Sequence, residues 1–141
     1  MRVHEIYLSL QGESTFAGLP CVFIRLTGCD LRCSYCDTAY AFTGGKTLTL
    51  DSILEQTTAL AEGYPEPPLV ELTGGEPLLQ KETPALLAAL ADRGFTVLLE
   101  TSGAHDISGV DARVHRIVDL KCPSSGENER NLQANLQHLR A

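Results

Sequence analysis

Cys29, Cys33 and Cys36 stand in a C-x3-C-x2-C spacing inside the stretch CDLRCSYCDTAY at 29–40. A Cys-x2-Cys pair alone serves zinc sites and redox motifs equally well. A third cysteine four residues upstream narrows the chemistry. Three thiolates on one short loop can hold three corners of a cubane iron–sulfur cluster and leave the fourth iron without a protein ligand. An open metal position marks a catalytic site rather than a closed structural one.

The competing readings are a disulfide and a structural zinc site. The odd cysteine count, five in all, and the lack of a signal-peptide pattern in MRVHEIYLSL argue against a disulfide framework. A zinc site needs a fourth ligand, and no second Cys-x2-Cys pair exists. Cys122, His4, His105, His115 or His138 would have to serve.

The flanking elements must position these cysteines. Apolar alternation predicts a first strand over 3–10, followed by a turn-rich loop at 11–20. CVFIRLT at 21–27 reads as a strand buried on both faces, as in a parallel sheet. Arg25 in its middle must be paired or functional, because a lone buried charge is costly. Either it anchors an anionic ligand or it pairs internally with Glu5 or Glu13. Residues 42–48 read as a Gly-containing loop. Helical spacing predicts helices over 51–61 and 82–92, each closed by a glycine, Gly63 and Gly94. Strands follow at 69–72, 95–99 and 114–120, with a short connection over 107–112. An amphipathic helix over 128–140 would bury Leu132, Leu136 and Leu139. The strand at 69–72 runs into Gly74-Gly75, which lets backbone approach a ligand closely. Glu100 and Ser102 sit just past another strand, at the edge where open α/β sheets hold ligands. Strands alternating with helices predict βα units on a parallel sheet, too few for a closed eight-stranded barrel.

These segments together resemble 7-carboxy-7-deazaguanine synthase, a family of the radical S-adenosylmethionine (SAM) superfamily. The cysteine spacing with Tyr35 before the last thiol carries the superfamily resemblance. LSLQGES at 8–14, AGLPCVFIRLTGCDLRC at 17–33 and CDTAYA at 36–41 carry the family resemblance. TGGEP at 73–77, ETSG at 100–103 and DLKCPSSG at 119–126 continue it in order.

The resemblance implies a single radical SAM domain over 1–141, an open, partial parallel βα barrel shortened at its C-terminus. It implies a 4Fe-4S cluster on Cys29, Cys33 and Cys36, with SAM on the open iron. Tyr35, Gly75, Glu76, Glu100, Ser102, Lys121 and Ser124 would face SAM. Gln11, Gly12, Glu13, Arg25 and Thr73 would face the substrate, 6-carboxy-5,6,7,8-tetrahydropterin, and Thr38 would bind Mg2+. Hydrogen abstraction, ring contraction and loss of ammonia would give 7-carboxy-7-deazaguanine. A second radical SAM class, the activases that place a glycyl radical on a partner protein, shares the cysteine motif but not the QGES loop, Arg25 or CDT.

Composition bounds the partners. Eleven basic against eighteen acidic residues give a net charge of −7, which argues against a nucleic-acid footprint. No apolar run is long enough to cross a membrane. A cytoplasmic enzyme with an electron donor such as flavodoxin or ferredoxin is expected, and an uncovered sheet edge favours a homodimer. Substituting Cys33→Ala is expected to remove the iron–sulfur absorption band after anaerobic reconstitution, and SAM cleavage with it. A variant that assembled the full cluster would overturn the ligand assignment.

Overall fold

A computed structural model describes residues 1–139. It contains one mixed six-stranded sheet: β1 (Arg2–Leu10), β2 (Pro20–Leu26), β3 (Lys46–Thr47), β4 (Leu69–Gly74), β5 (Val97–Thr101) and β6 (His115–Val118), in the spatial order β3-β1-β2-β4-β5-β6. Strands β2, β4, β5 and β6 run parallel, whereas β1 pairs antiparallel with both β2 and β3. The sheet is open, as expected, but not wholly parallel. The loop of residues 11–19 joins the paired ends Leu10 and Pro20. That is shorter than the dozen or so residues of a parallel crossover, so the chain returns as a hairpin. The short β3 lies in the segment read as a loop.

Two helices pack against the sheet. In α1 (Leu50–Ala61), the Thr49 hydroxyl accepts the Ser52 N–H as N-cap. In α2 (Thr83–Asp92), Pro84 occupies the first turn, where its missing N–H costs nothing. Ile53 and Leu54 of α1 and Leu86, Leu87 and Leu90 of α2 join Val22, Ile24, Leu26, Val70, Leu72, Val97 and Leu99 in the main core. Each such side chain contributes about 1.5–3 kcal/mol on burial.

Strand alternation sends the remaining residues to the other face. There Cys21, Phe23, Leu69 and Leu98 form a small apolar cluster at one end. Glu71 stands in register between Phe23 and Leu98, and beyond that row lie Glu5, Arg25, Thr73 and Glu100. The sheet thus has an apolar, helix-covered face and a polar face that can host chemistry.

The expected helix over 128–140 does not form, and its last residue lies outside the described residues. The segment makes 3-10 turns at Asn128–Arg130 and Gln133–His138, leaving Leu132, Leu136 and Leu139 partly exposed. Asparagine side chains give the reason. Asn135 is buried, donating Nδ2 to the Gly103 and His105 carbonyls (3.0 and 2.8 Å) and accepting the Ile107 N–H (3.2 Å). Asn131 brackets the Lys121 backbone with two further bonds of 2.9 Å. These contacts give the backbone an alternative to the helical ladder. Asn135→Ala is therefore expected to cost about 1–3 kcal/mol in urea unfolding, because the Ile107 N–H is left buried without a partner. Leu136→Ala, at a position 43% exposed, is expected to cost less than about 1 kcal/mol; a buried helical leucine would cost about 2–5.

Candidate active site

The site is a cavity of about 470 Å³ at the C-terminal edge of the parallel strands. Each wall is a strand end or the loop after it. The loop after β2 supplies Cys29, Cys33, Tyr35, Cys36, Asp37 and Thr38. β4 supplies Thr73, Gly74 and Gly75, β5 gives Glu100, Thr101 and Ser102, and the segment after β6 gives Asp119 and Lys121. Glu13 reaches in from the loop after β1. Of the residues singled out in the sequence, eleven therefore share one cavity: Glu13, Cys29, Cys33, Tyr35, Cys36, Thr38, Thr73, Gly75, Glu100, Ser102 and Lys121.

The cysteine loop is held from two sides. Backbone contact fixes it to β4: Gly75 N–H donates to Leu26 O (3.3 Å) and Glu76 N–H to Gly28 O (2.8 Å). A Cβ added at Gly75 would lie 2.2 Å from Gly28 O and 2.8 Å from Cys29 Cβ, so only glycine permits this approach. On the far side, the segment around 119–131 grips the loop. Arg32 N–H donates to Glu127 (2.6 Å), and Ser34 donates its N–H to Ser125 O (3.0 Å) and its hydroxyl to Ser124 O (2.6 Å). Asp30 pairs with Arg130 (2.5 Å) and His105 (3.1 Å).

Several expected site residues sit elsewhere. Glu76 does not line the cavity; its carboxylate is 0% exposed. It accepts from Leu78 N–H (2.9 Å), the Thr101 hydroxyl (2.9 Å), Ser102 N–H (2.8 Å) and the Ser102 hydroxyl (2.6 Å). In this way it braces the ends of β4 and β5. Ser124 is exposed and offers its carbonyl to Ser34 rather than its hydroxyl to the cavity. Gly12 is exposed outside the cavity, and Gln11 is buried beneath it. Arg25 forms the internal pair with Glu5 (2.8 Å) and donates to the Tyr7 hydroxyl (3.2 Å) and to Gly74 O (3.5 Å). Its guanidinium lies at the margin of the cavity, against a lining residue.

Glu71 was missed by reading the sequence. It is 2% exposed, receives the Gln11 side-chain amide, and is pushed up to about 7 by burial and the neighbouring Glu100 charge. The signal was present, since a carboxylate in LVELT interrupts an apolar strand as Arg25 does in CVFIRLT. Lys121 is salt-bridged to Asp119, a cavity residue the sequence reading also passed over. Thr38 donates its hydroxyl to Asp37 (2.8 Å), setting two hard oxygen donors side by side on the wall.

A family model described as the Radical SAM superfamily matches residues 23–124. The chain belongs to the radical SAM superfamily. Within it, the chain is 51% identical over 135 residues to the 7-carboxy-7-deazaguanine synthase of Chlorobaculum tepidum, covering 96% of this chain and 59% of that protein. The synthase of Thermoplasma acidophilum is 39% identical over 142 residues, at 99% and 66% coverage. The crystal structure of QueE from Escherichia coli aligns with a TM-score of 0.79 at 26% identity, over 98% of this chain and 68% of that one. The chain thus spans about three fifths of the length of the Chlorobaculum relative.

Superfamily membership implies a 4Fe-4S cluster and SAM, and the residues present fit both. The three cysteines are partly exposed and line one cavity. Among the described residues no three His, Cys, Asp or Glu side chains converge tightly enough for a single metal ion. A cubane, wider than one ion, needs its thiolates set further apart than zinc ligands about 2.3 Å from one centre. The Leu31 N–H points at Cys29 Sγ (3.4 Å), a donor of the kind that tunes cluster sulfurs. The bare backbone of Gly74 and Gly75 leaves room beside the thiols for a ligand.

Glu76→Gln is expected to lower stability by about 2–4 kcal/mol, since an amide cannot accept on both sides of its fork. Thermal unfolding without SAM checks this. A variant of unchanged stability that had lost SAM binding would restore Glu76 to the cofactor.

Proposed function

We propose that the chain is a radical SAM carbon–nitrogen lyase, a 7-carboxy-7-deazaguanine synthase of 7-deazapurine or queuosine biosynthesis, acting as a single domain over 1–141. The substrate is 6-carboxy-5,6,7,8-tetrahydropterin, and the reaction expels ammonia. The observation that carries this reading is the sharing of one cavity by the cysteine trio and the carboxylate and hydroxyl set Glu13, Thr73 and Glu100. Identity to named synthases along nearly the whole chain supports it.

When bound, the cluster and SAM would supply one-electron radical chemistry. The chain's own residues position and exclude. Cys29, Cys33 and Cys36 hold the cluster. The Gly75 backbone, Tyr35, Glu100, Ser102 and Lys121 would hold SAM, Glu100 being the carboxylate suited to its ribose hydroxyls. Glu13 and Thr73 accept and donate to the pterin edge, supported by Gln11 and Gly12 from the loop behind. Arg25, at the cavity margin beside Gly74, anchors the pterin carboxylate in exchange for part of its contact with Glu5. Thr38 and Asp37 offer hard oxygens to Mg2+. Glu76 and Ser124 act as braces. Among the described residues no helix is long and apolar enough to cross a membrane. We assign a cytoplasmic homodimer fed by a flavodoxin- or ferredoxin-type donor.

Anaerobically reconstituted protein, mixed with SAM, dithionite, Mg2+ and the carboxytetrahydropterin, is expected to yield 7-carboxy-7-deazaguanine and 5′-deoxyadenosine together by mass spectrometry. Deoxyadenosine without deazaguanine would turn the assignment toward another radical SAM substrate, including a partner protein of the activase type.

A further inference from the structure

Beneath the cavity floor runs a chain of side chains that no contact with a ligand explains. Glu71 lies in the middle of β4, on the polar face and one pleat behind Thr73. Its carboxyl accepts the Gln11 Nε2 amide on one side; on the other, Glu71 pairs with Leu98 of β5, which puts Glu100, two residues on, on the same face of the neighbouring strand. Gln11 is itself buried, and its Oε1 accepts the Glu13 N–H (3.1 Å). The Gln11 backbone also closes its loop, with its N–H on Leu19 O (2.9 Å) and its carbonyl taking the Gly18 N–H (2.7 Å). At the other end, Glu100 accepts the Thr73 hydroxyl (2.7 Å). Glu13, Thr73 and Glu100 line the cavity, whereas Gln11 and Glu71 do not.

We propose that Glu71 is a positioning residue for the pterin site, tying the loop that carries Glu13 to the strand ends that carry Thr73 and Glu100, and that it does so while sharing one proton with Glu100. Two carboxylates on the same face of neighbouring strands, one of them buried, cannot both be charged without repulsion, and one proton between them turns the repulsion into a bond. Burial and the Glu100 charge hold that proton on the pair up to about pH 7. The other groups facing Glu71 deepen the effect: Glu13 adds negative charge, and the Cys21 thiol, itself pushed up to about 12 by burial and by Glu71, stays neutral. The sign follows. A carboxyl raised above its ordinary value is protonated in the fold where it would be ionised in the unfolded chain. The tie is therefore complete below about pH 7 and weakens as pH rises through that value.

The proposal deepens the synthase reading and rests on it only for the identity of the ligand. Glu71→Gln mimics the protonated state, since the amide can donate to Glu100 and accept from Gln11. Glu71→Ala removes the tie. Three measurements on reconstituted wild-type and variant protein decide. In infrared titration, the wild type is expected to show the carbonyl band of a buried carboxylic acid that fades as pH rises through about 7 and is missing in Glu71→Gln. In hydrogen exchange, the backbone of 11–13 is expected to exchange roughly five- to tenfold faster in Glu71→Ala, the loss of about one hydrogen bond, and as in wild type in Glu71→Gln. Wild-type affinity for carboxytetrahydropterin is expected to fall at least roughly threefold between about pH 6 and pH 8, while Glu71→Gln stays flat. No acid band, or equal exchange at 11–13 in all three proteins, would overturn the tie. A pterin affinity independent of pH in wild type would overturn the link to the ligand. Failure of the wild type to bind pterin at any pH would instead remove the synthase reading, leaving the infrared and exchange results to decide the tie.

Discussion

Everything in the site depends on one close approach of backbone to backbone. The chain after β2 and the chain after β4 meet at Gly28 and Gly75, where a single added methyl would overlap a carbonyl oxygen. The Glu76 N–H closes the contact on Gly28 O, and the Glu76 carboxylate, turned inward, fastens the end of β5 through Thr101 and Ser102. Three strand ends are thereby locked together before any ligand arrives. The cysteine loop inherits its position from that lock, and the cavity is the space it leaves. Because the donors and acceptors are satisfied inside protein, the lock is electrostatically firm without exposing charge.

The sheet divides its labour by side. Helices seal the face bearing Val22, Ile24, Val70, Leu72 and Leu99. The opposite face concentrates Glu5, Arg25, Glu71 and Glu100, ionisable groups that a core would not tolerate without partners. Each has one: Arg25 meets Glu5 and Tyr7, Glu71 meets Gln11, and Glu100 meets Thr73. A polar network of this kind gives a fixed orientation to the groups at its edge, which is what placing a ligand in one pose requires.

Much of this was legible in the sequence. The helices and the inner strands were placed within a few residues by hydrophobic period and by glycine stops, because those elements bury a clear stripe. The cysteine spacing and the strand-end positions of Gly75, Glu100 and Ser102 were also readable, since each is a local pattern. What was not legible is non-local. Nothing in LSLQGES or CVFIRLT says that β1 and β2 pair antiparallel, and it is that pairing which selects Glu5 over Glu13 as the partner of Arg25. The inward turn of Glu76 depends on hydroxyls contributed by another strand. The leucines at 132, 136 and 139 carry helical spacing, yet buried Asn135 overrules them through partners at 103–107. Period alone cannot register a competing tertiary hydrogen bond.

The grip of residues 124–130 on the cysteine loop has a consequence for the order of events during synthesis. Arg32 with Glu127, Ser34 with Ser124 and Ser125, and Asp30 with Arg130 are contacts between parts of the chain about a hundred residues apart. Non-local contacts of this range form late, and a chain emerging from the ribosome folds from its N-terminus. The hairpin of β1 and β2 can therefore be in place while the three thiols still hang on an unbraced loop. The thiols reach their mature arrangement only after residue 130 has emerged, so iron loading follows the synthesis of the 124–130 segment rather than that of the cysteine loop itself.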